Sequence, residues 1–259
     1  MEGKMGLDIY AGTLSRYYMR NWKTITQQFC EANGMQYTQI HPTGQEENEG
    51  SASETEEVVK LWQEQMVNAL KSAGAESAKE WQDDWDTKPY YTHKPDWDAY
   101  GALLLYATGK LLKVRSPKDY KKNMDYHAVL KVMGIYGTSY RQWSLFNNVC
   151  HYVPIADRLV FKYPLPDGRE SMLSTVACLK YELEKINEAC WQADEATILN
   201  WTNIEGYPVE GQITGTGLLR YLPKRNIYST ESLAKFAFSI LWQAVCFAEK
   251  EQVTIVLDY

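Results

Sequence analysis

The end of the chain is the part of the sequence that most constrains the fold. Beyond a candidate cap at Thr230, apolar residues recur at the i, i+3, i+4, i+7 spacing of one helical face. This face comprises Leu233, Phe236, Ala237, Ile240, Leu241, Ala244, Val245 and Ala248. After the polar stretch 249–252, Val253–Leu257 is a continuous apolar run, which is typical of a strand buried on both faces. The order predicts a long helix that packs on an interior strand.

The rest of the hydrophobic pattern extends this architecture. We predict an α/β or α+β fold, with a mixed sheet that includes the buried C-terminal strand and is packed by several long helices. Because both terminal strands are expected in one sheet, residues 1–259 are predicted to form a single globular domain. Predicted strands cover Gly6–Leu14, Met35–Ile40, Trp143–Val153 and Arg158–Tyr163. Predicted helices cover Trp22–Asn33 with Asn21 as cap and Gly34 as stop, Ser53 to about Gly74, Asp96 or Asp98 to Leu112, Ser116–Met133 and Ser171–Cys190.

One stretch is nearly free of apolar residues. Residues 43–57 are rich in Gly, Ser and Glu. Such a segment buries too little surface to offset its loss of conformational entropy. We therefore predict a mobile acidic loop here, ended by a Ser53–Glu56 capping box at the start of the next helix.

Charge narrows the class of partner that we expect, and cysteine content narrows the cellular compartment. The formal net charge is −6, and the densest basic stretch, Lys118–Lys122, contains Asp119, so nucleic acid is not expected as a partner. The five cysteines are odd in number and form no CxxC motif, which favours a reducing compartment over a disulfide framework. No leader-like or membrane-spanning apolar run is present, so we expect a cytoplasmic chain with no membrane partner.

The most unusual chemistry lies in residues 81–98. Asp-Trp-Asp occurs twice, at 84–86 and at 96–98, on either side of a Pro-Tyr-Tyr sequence. Indole and phenol rings beside carboxylates can hold cations, stack on sugars or anchor a protein partner. The predicted binding residues are Trp81, Trp85, Tyr90, Tyr91 and Trp97. The alternative is that the tryptophans cover the neighbouring core while the aspartates cap helices.

Recognisable catalytic motifs are lacking. The four histidines form no HxH or HExxH pair, and no GxSxG elbow or phosphate-binding loop occurs, so neither a metal nor a cofactor is predicted. If the chain is an enzyme, the candidate catalytic residues are Asp96, Asp98, His93 and His127. Asp8 and Asp258, which stand in the first and last predicted strands, are further carboxylates at the sheet.

Two functions remain open on the sequence. The first is a non-catalytic interaction protein, of the immunity or inhibitor type, that uses an acidic, aromatic surface within residues 81–98 to occupy a basic protein partner. The alternative is a hydrolase that uses Asp and His residues, with or without a metal, and that could act on glycans. The sequence does not decide whether the chain is an enzyme, and it indicates no oligomeric state.

Overall fold

A computed structural model describes residues 6–36, 52–207 and 227–258 of the chain. Within these ranges the α-helices are α1 (Leu14–Tyr18), α2 (Ile25–Ala32), α3 (Ala52–Ser72), α4 (Asp96–Leu111), α5 (Tyr126–Met133), α6 (Val176–Cys190), α7 (Glu195–Ile204) and α8 (Thr230–Glu251). The strands are β1 (Asp8–Gly12), β2 (Tyr91–His93), β3 (Asp119–Lys121), β4 (His151–Val153), β5 (Val160–Pro164), β6 (Glu170–Thr175), β7 (Ile227–Ser229) and β8 (Thr254–Asp258). The predicted mixture of helices and strands is confirmed. None of the helices in the described ranges is both long and apolar enough to cross a bilayer.

The chain divides into two compact units. The first comprises the residues up to Lys94, Asn148–Lys180 and the residues from Ala244 onward. The second comprises Pro95–Asn147 and Tyr181–Gln243. The single domain expected over residues 1–259 stays a prediction.

A six-stranded mixed sheet forms the framework of the first unit. Its strand order is β2-β1-β8-β4-β6-β5, and β4 and β6 are parallel while the other neighbours are antiparallel. β8 lies between β1 and β4, and Val253 to Leu257 are at most 6% exposed. Each buried aliphatic side chain of this kind contributes about 1.5–3 kcal/mol. The predicted interior C-terminal strand is therefore confirmed.

Helices α1 and α3 cover one face of this sheet. Tyr10 of β1 and Leu173 of β6 lie in a core cluster with the apolar side of α3. The α3 residues in that cluster are Val59, Trp62, Met66, Val67 and Leu70. Their spacing is that of a helical stripe, so burial of this stripe accounts for the helix.

Two predictions near α3 need correction. The mobile loop expected over residues 43–57 is wrong for residues 52–57, which are the first turns of α3, and residues 43–51 lie outside the described ranges. The acidic side chains that marked this stretch as a loop are also favourable near the positive end of a helix, as Glu54 is here. Of the strand predicted over Met35–Ile40, Met35 and Gln36 lie in no regular element and the rest is outside the described residues.

Several predicted element boundaries are wrong because local side-chain caps act elsewhere. α2 begins after Thr24, which forms a capping box with Gln27, and not after Asn21. The helix predicted from Ser116 is confined to α5, which Asp125 caps, and β3 occupies part of the preceding stretch. The confirmed stop at Gly34 has a φ of +65°, which suits glycine.

The chain before α6 also differs from the prediction. Residues expected to be helical from Ser171 form strand β6, and α6 starts only where Thr175 Oγ1 accepts from the backbone N–H of Cys178. The strand predicted over Trp143–Val153 is reduced to β4, and short 3-10 turns precede it. β6 pairs with both β4 and β5, and its last three residues, Leu173 to Thr175, are buried, so tertiary pairing overrides local helix propensity here.

The second unit is held by a buried aromatic cluster and a buried carboxylate. Trp191 stacks on Tyr106 of α4 at 5.4 Å between ring centroids and meets Trp201 of α7 and Phe238 of α8 edge-on at 5.0 and 5.2 Å. Glu182 of α6 is 1% exposed. Its carboxylate accepts from the backbone N–H and the hydroxyl of Ser144, at 2.6 and 2.7 Å, and from the backbone N–H of Leu145 at 3.1 Å.

Replacing Glu182 with Ala should destabilise the protein strongly. The substitution leaves two buried backbone N–H groups and one hydroxyl without their acceptor, at a cost of about 3 kcal/mol. Denaturant unfolding measures the change. The exposed Glu184, two residues along the same helix, is the matched control, and E184A should leave the unfolding free energy nearly unchanged. Equal effects of the two substitutions would contradict the structural role of Glu182.

Candidate functional site

The carboxylate of Asp83 positions the segment that follows Trp81 in the first unit. Its two oxygens accept from the backbone N–H groups of Leu14 and Ser15, each at 2.8 Å, at the start of α1. The hydroxyl of Ser15 donates to the same carboxylate. Burial raises the pKa of Asp83, although these hydrogen bonds act in the opposite direction. The segment is thereby fixed against α1.

An acidic cleft lies beside this anchor. It has a volume of about 340 Å³ and is lined by Ser15, Glu56, Lys60, Gln63, Glu80, Trp81, Gln82, Asp83 and Asp84. Four of these residues are acidic and one is basic. The side-chain hydrogen bond from Thr87 holds the pKa of Asp84 below its ordinary value, so Asp84 stays charged at neutral pH. We call this group of residues the acidic cleft.

The predicted binding residues of the first unit have different surroundings. Trp85 is half-buried, and its indole N–H donates to Glu56 of the acidic cleft. Tyr90 lies under the guanidinium of Arg16, 5.0 Å from its ring centroid. Tyr91 packs on Phe247 at 6.0 Å, and burial raises the pKa of its hydroxyl. Trp81 is only 8% exposed and belongs to the core, although it also lines the acidic cleft, so its role in binding stays a prediction.

In the second unit, Asp96 caps α4, as one of the sequence alternatives predicts. Asp96 has a φ of +53°, and its Oδ1 accepts from the backbone N–H groups of Asp98 and Ala99 at 2.9 and 3.1 Å. The same oxygen accepts from the hydroxyl of Tyr207 at 2.6 Å. The carboxylate of Asp98 accepts from the backbone N–H of Asn123. Both carboxylates thus have structural roles.

The remaining candidates do not form a recognisable catalytic group within either unit. Trp97 is half-buried and meets the ring of Tyr100 edge-on at 6.0 Å. His127 is exposed, with its Nδ1 3.3 Å from the hydroxyl of Tyr136. His93 belongs to the first unit, its Nδ1 accepts from the backbone N–H of Lys94, and burial lowers its pKa. In the described ranges no three His, Cys, Asp or Glu side chains are placed to hold a metal ion.

A buried histidine that sequence reasoning did not select lies at one end of the first unit's sheet. His151 is 5% exposed and sits between Val256 and Leu173 in the strand register, and neither ring nitrogen has a hydrogen-bond partner among the described residues. Tyr17 meets its ring edge-on at 6.3 Å and donates to Asp258 at 2.7 Å. Desolvation lowers the pKa of His151 to about 4, so the ring is neutral at pH 7.

Two carboxylates accompany this histidine at the same end of the sheet. Asp8 and Asp258 are register partners on β1 and β8. Burial raises the pKa of Asp8 in spite of its ion pair with Lys94 at 3.3 Å. The positions of Asp8 and Asp258 in the first and last predicted strands were the sequence signals that pointed here.

His151 should make the stability of the protein fall in mild acid. Its pKa is lowered from 6.5 to about 4 on folding, so the unfolded chain binds the proton first. The contribution of His151 to the free energy of unfolding is fully present above about pH 6.5. It is lost as the pH falls towards 4, and the total loss is about 3 kcal/mol. Urea unfolding between pH 7 and 4.5 measures the loss, and H151L should remove most of it.

The exposed His127 provides the control for this experiment. H127L should keep the acid-dependent loss of the wild type, because it leaves the buried His151 in place. The raised pKa values of Asp8 and Asp83 act in the opposite sense at lower pH, so the informative quantity is the difference between each variant and the wild type. An H151L profile that superimposes on that of the wild type would rule out His151 as the cause.

Comparisons of the chain with protein-family models, with curated proteins and with solved structures found no match. The function is therefore inferred from the geometry of the described residues.

Proposed function

We propose that this chain is a non-catalytic binding protein whose acidic cleft holds a basic segment of a partner protein. The observation that carries the proposal is the concentration of Glu56, Glu80, Asp83 and Asp84 around one cleft, in which Lys60 is the one cationic residue among the described lining residues. Excess negative charge in a concave surface attracts Lys and Arg side chains and steers their approach. An immunity- or inhibitor-type role, in which the chain occupies a basic functional surface, is the concrete form of the proposal.

The arrangement around Trp85 supports this function. A half-buried indole next to a cleft offers a large contact area with little entropy to lose, and tryptophan is enriched among residues that dominate binding energy. Its N–H is satisfied by Glu56, which orients both side chains before a partner arrives. The anchor between Asp83 and α1 fixes the floor of the cleft in the same way.

The competing hydrolase has less support from the described geometry. Asp96 accepts backbone N–H groups at the start of α4, Asp98 accepts the backbone N–H of Asn123, and these contacts would have to be exchanged for substrate contacts. The expected absence of nucleic acid and membrane partners remains part of the proposal. We also propose a cytoplasmic location, which the five free cysteine thiols support.

Removing charge from the acidic cleft should weaken binding of a basic peptide. The triple variant E56Q/E80Q/D84N keeps Asp83 and therefore the fold. We expect its affinity for a fluorescent oligolysine to be roughly tenfold lower than that of the wild type, because three attractive charges are lost. W85A should also bind more weakly. Fluorescence anisotropy at low and moderate salt measures the dissociation constants.

A control variant separates the cleft from the net charge of the chain. E184Q/E188Q/E195Q removes three exposed acidic groups of the second unit and gives the same net charge as the cleft variant. Its oligolysine affinity should stay close to that of the wild type. Similar losses in both triple variants would show a general charge effect and would refute the cleft as the binding site.

A further inference from the structure

A second cleft of the first unit has the opposite charge. It has a volume of about 250 Å³ and is lined by Arg16, Arg20, Asn21, Trp22, Lys23 and Tyr90. Three of the six residues are cationic, two are aromatic and none is acidic. We call it the basic cleft. Neither its charge nor its rings are used by the proposed binding of a basic partner.

Arg16 is held in position before any ligand binds. Its guanidinium lies over the ring of Tyr90, 5.0 Å from the centroid, and its Nη2 donates to the backbone carbonyl of Trp85. Within the described ranges no carboxylate lies within ion-pair distance of Arg16. A guanidinium presents five N–H donors in a fixed plane, so donors remain for an anion at the cleft that Arg16 lines.

The turn after α1 brings a second guanidinium to the same cleft. Arg20 has a φ of +53°, its backbone N–H donates to the carbonyl of Tyr17 at 3.0 Å, and that of Asn21 donates to the carbonyl of Arg16 at 3.1 Å. A non-glycine residue in the left-handed region is disfavoured, so the surrounding contacts must maintain it. The side chain of Arg20 is exposed and, in the described part of the chain, has no ion-pair partner.

The aromatic residues of the basic cleft are fixed by stacking. Trp22 stacks on Tyr17 at 5.9 Å and lies 4.9 Å from Tyr10, both measured between ring centroids. Tyr90 stacks on Tyr10 at 6.0 Å. Gly12 allows the approach of these rings, since a Cβ there would lie 2.5 Å from the Tyr10 ring and 2.9 Å from Cβ of Tyr90. A flat ligand ring can therefore stack on a rigid aromatic wall beside the cations.

One acidic group competes for a cation of the basic cleft. Lys23 pairs with Glu31 of α2 at 2.7 Å, and both side chains are more than half exposed. Such a pair is weak because solvent screens it, so an incoming anion can displace Glu31 or share the ammonium group. The two arginines face no such competitor among the described residues.

We propose that the basic cleft binds a small phosphate monoester that carries a planar ring, of the size of a nucleoside monophosphate. Arg16 and Arg20 would hold the phosphate through charge-assisted hydrogen bonds, with Lys23 as a third cation. Trp22 and Tyr90 would contact the ring. The volume of about 250 Å³ lies below the usual range of about 300–1,000 Å³ for ligand sites, which favours a small ligand over larger cofactors.

Calorimetric titration of the full chain with AMP, adenosine and inorganic phosphate tests the proposal. AMP should bind, inorganic phosphate should bind more weakly, and adenosine should show no heat at the same concentrations. R20S and K23S should each lower AMP affinity by at least about tenfold or abolish it, because a charge-assisted contact is lost. R115S, which removes an exposed arginine of the second unit, should bind AMP as the wild type does.

The outcomes separate the parts of the proposal. Absence of AMP binding to the wild type, or unchanged binding to R20S and K23S, would overturn it. Equal affinities for AMP and inorganic phosphate would overturn the role of the ring. Far-UV circular dichroism confirms that the variants fold, which is expected because both side chains are exposed. The acidic-cleft variant E56Q/E80Q/D84N should still bind AMP. The AMP titration therefore tests the basic cleft whether or not the acidic cleft binds a basic partner.

Discussion

The described surface of the first unit depends on the hydrogen bonds that the start of α1 donates to the carboxylate of Asp83. This carboxylate joins residues 81–90 to a helix almost seventy positions earlier, through two backbone N–H groups and a hydroxyl. Adjacent residues of that helix then line different clefts, since Ser15 belongs to the acidic cleft and Arg16 to the basic cleft. A carboxylate that satisfies the free donors of a helix end is favoured, because these N–H groups have no acceptor within the helix itself.

Long-period hydrophobic patterns predicted the parts of the fold that bury the most surface. The stripe of α8 and the apolar run of β8 could be predicted without knowing which elements they pack against. Their pattern follows directly from burial on one or both sides. Residues 116–125 and 171–175 were assigned wrongly for the opposite reason. Their local signals, a Ser-Pro pair and a serine cap, are short, and strand pairing or the cap at Asp125 outweighs them.

The candidate site was only partly predictable. The sequence singled out residues 81–98 by composition, and the capping role of Asp96 was among its alternatives. It could not show that Trp81 faces the core, since that depends on packing against α3. The basic cleft was missed because its cations do not form a basic run. Arg16, Arg20 and Lys23 are spread over eight positions, and only the turn at Arg20 and the distant Tyr90 gather them.

Two clefts of opposite sign on one compact unit give that unit a built-in electric dipole. Dissolved ions weaken both poles together, because screening does not depend on sign. Acid affects them unequally, since carboxylates are neutralised by protonation while guanidinium groups keep their charge. At neutral pH, a molecule that carries charges of both signs would therefore approach this unit in one preferred orientation. In acid only the positive pole would remain to attract an anion.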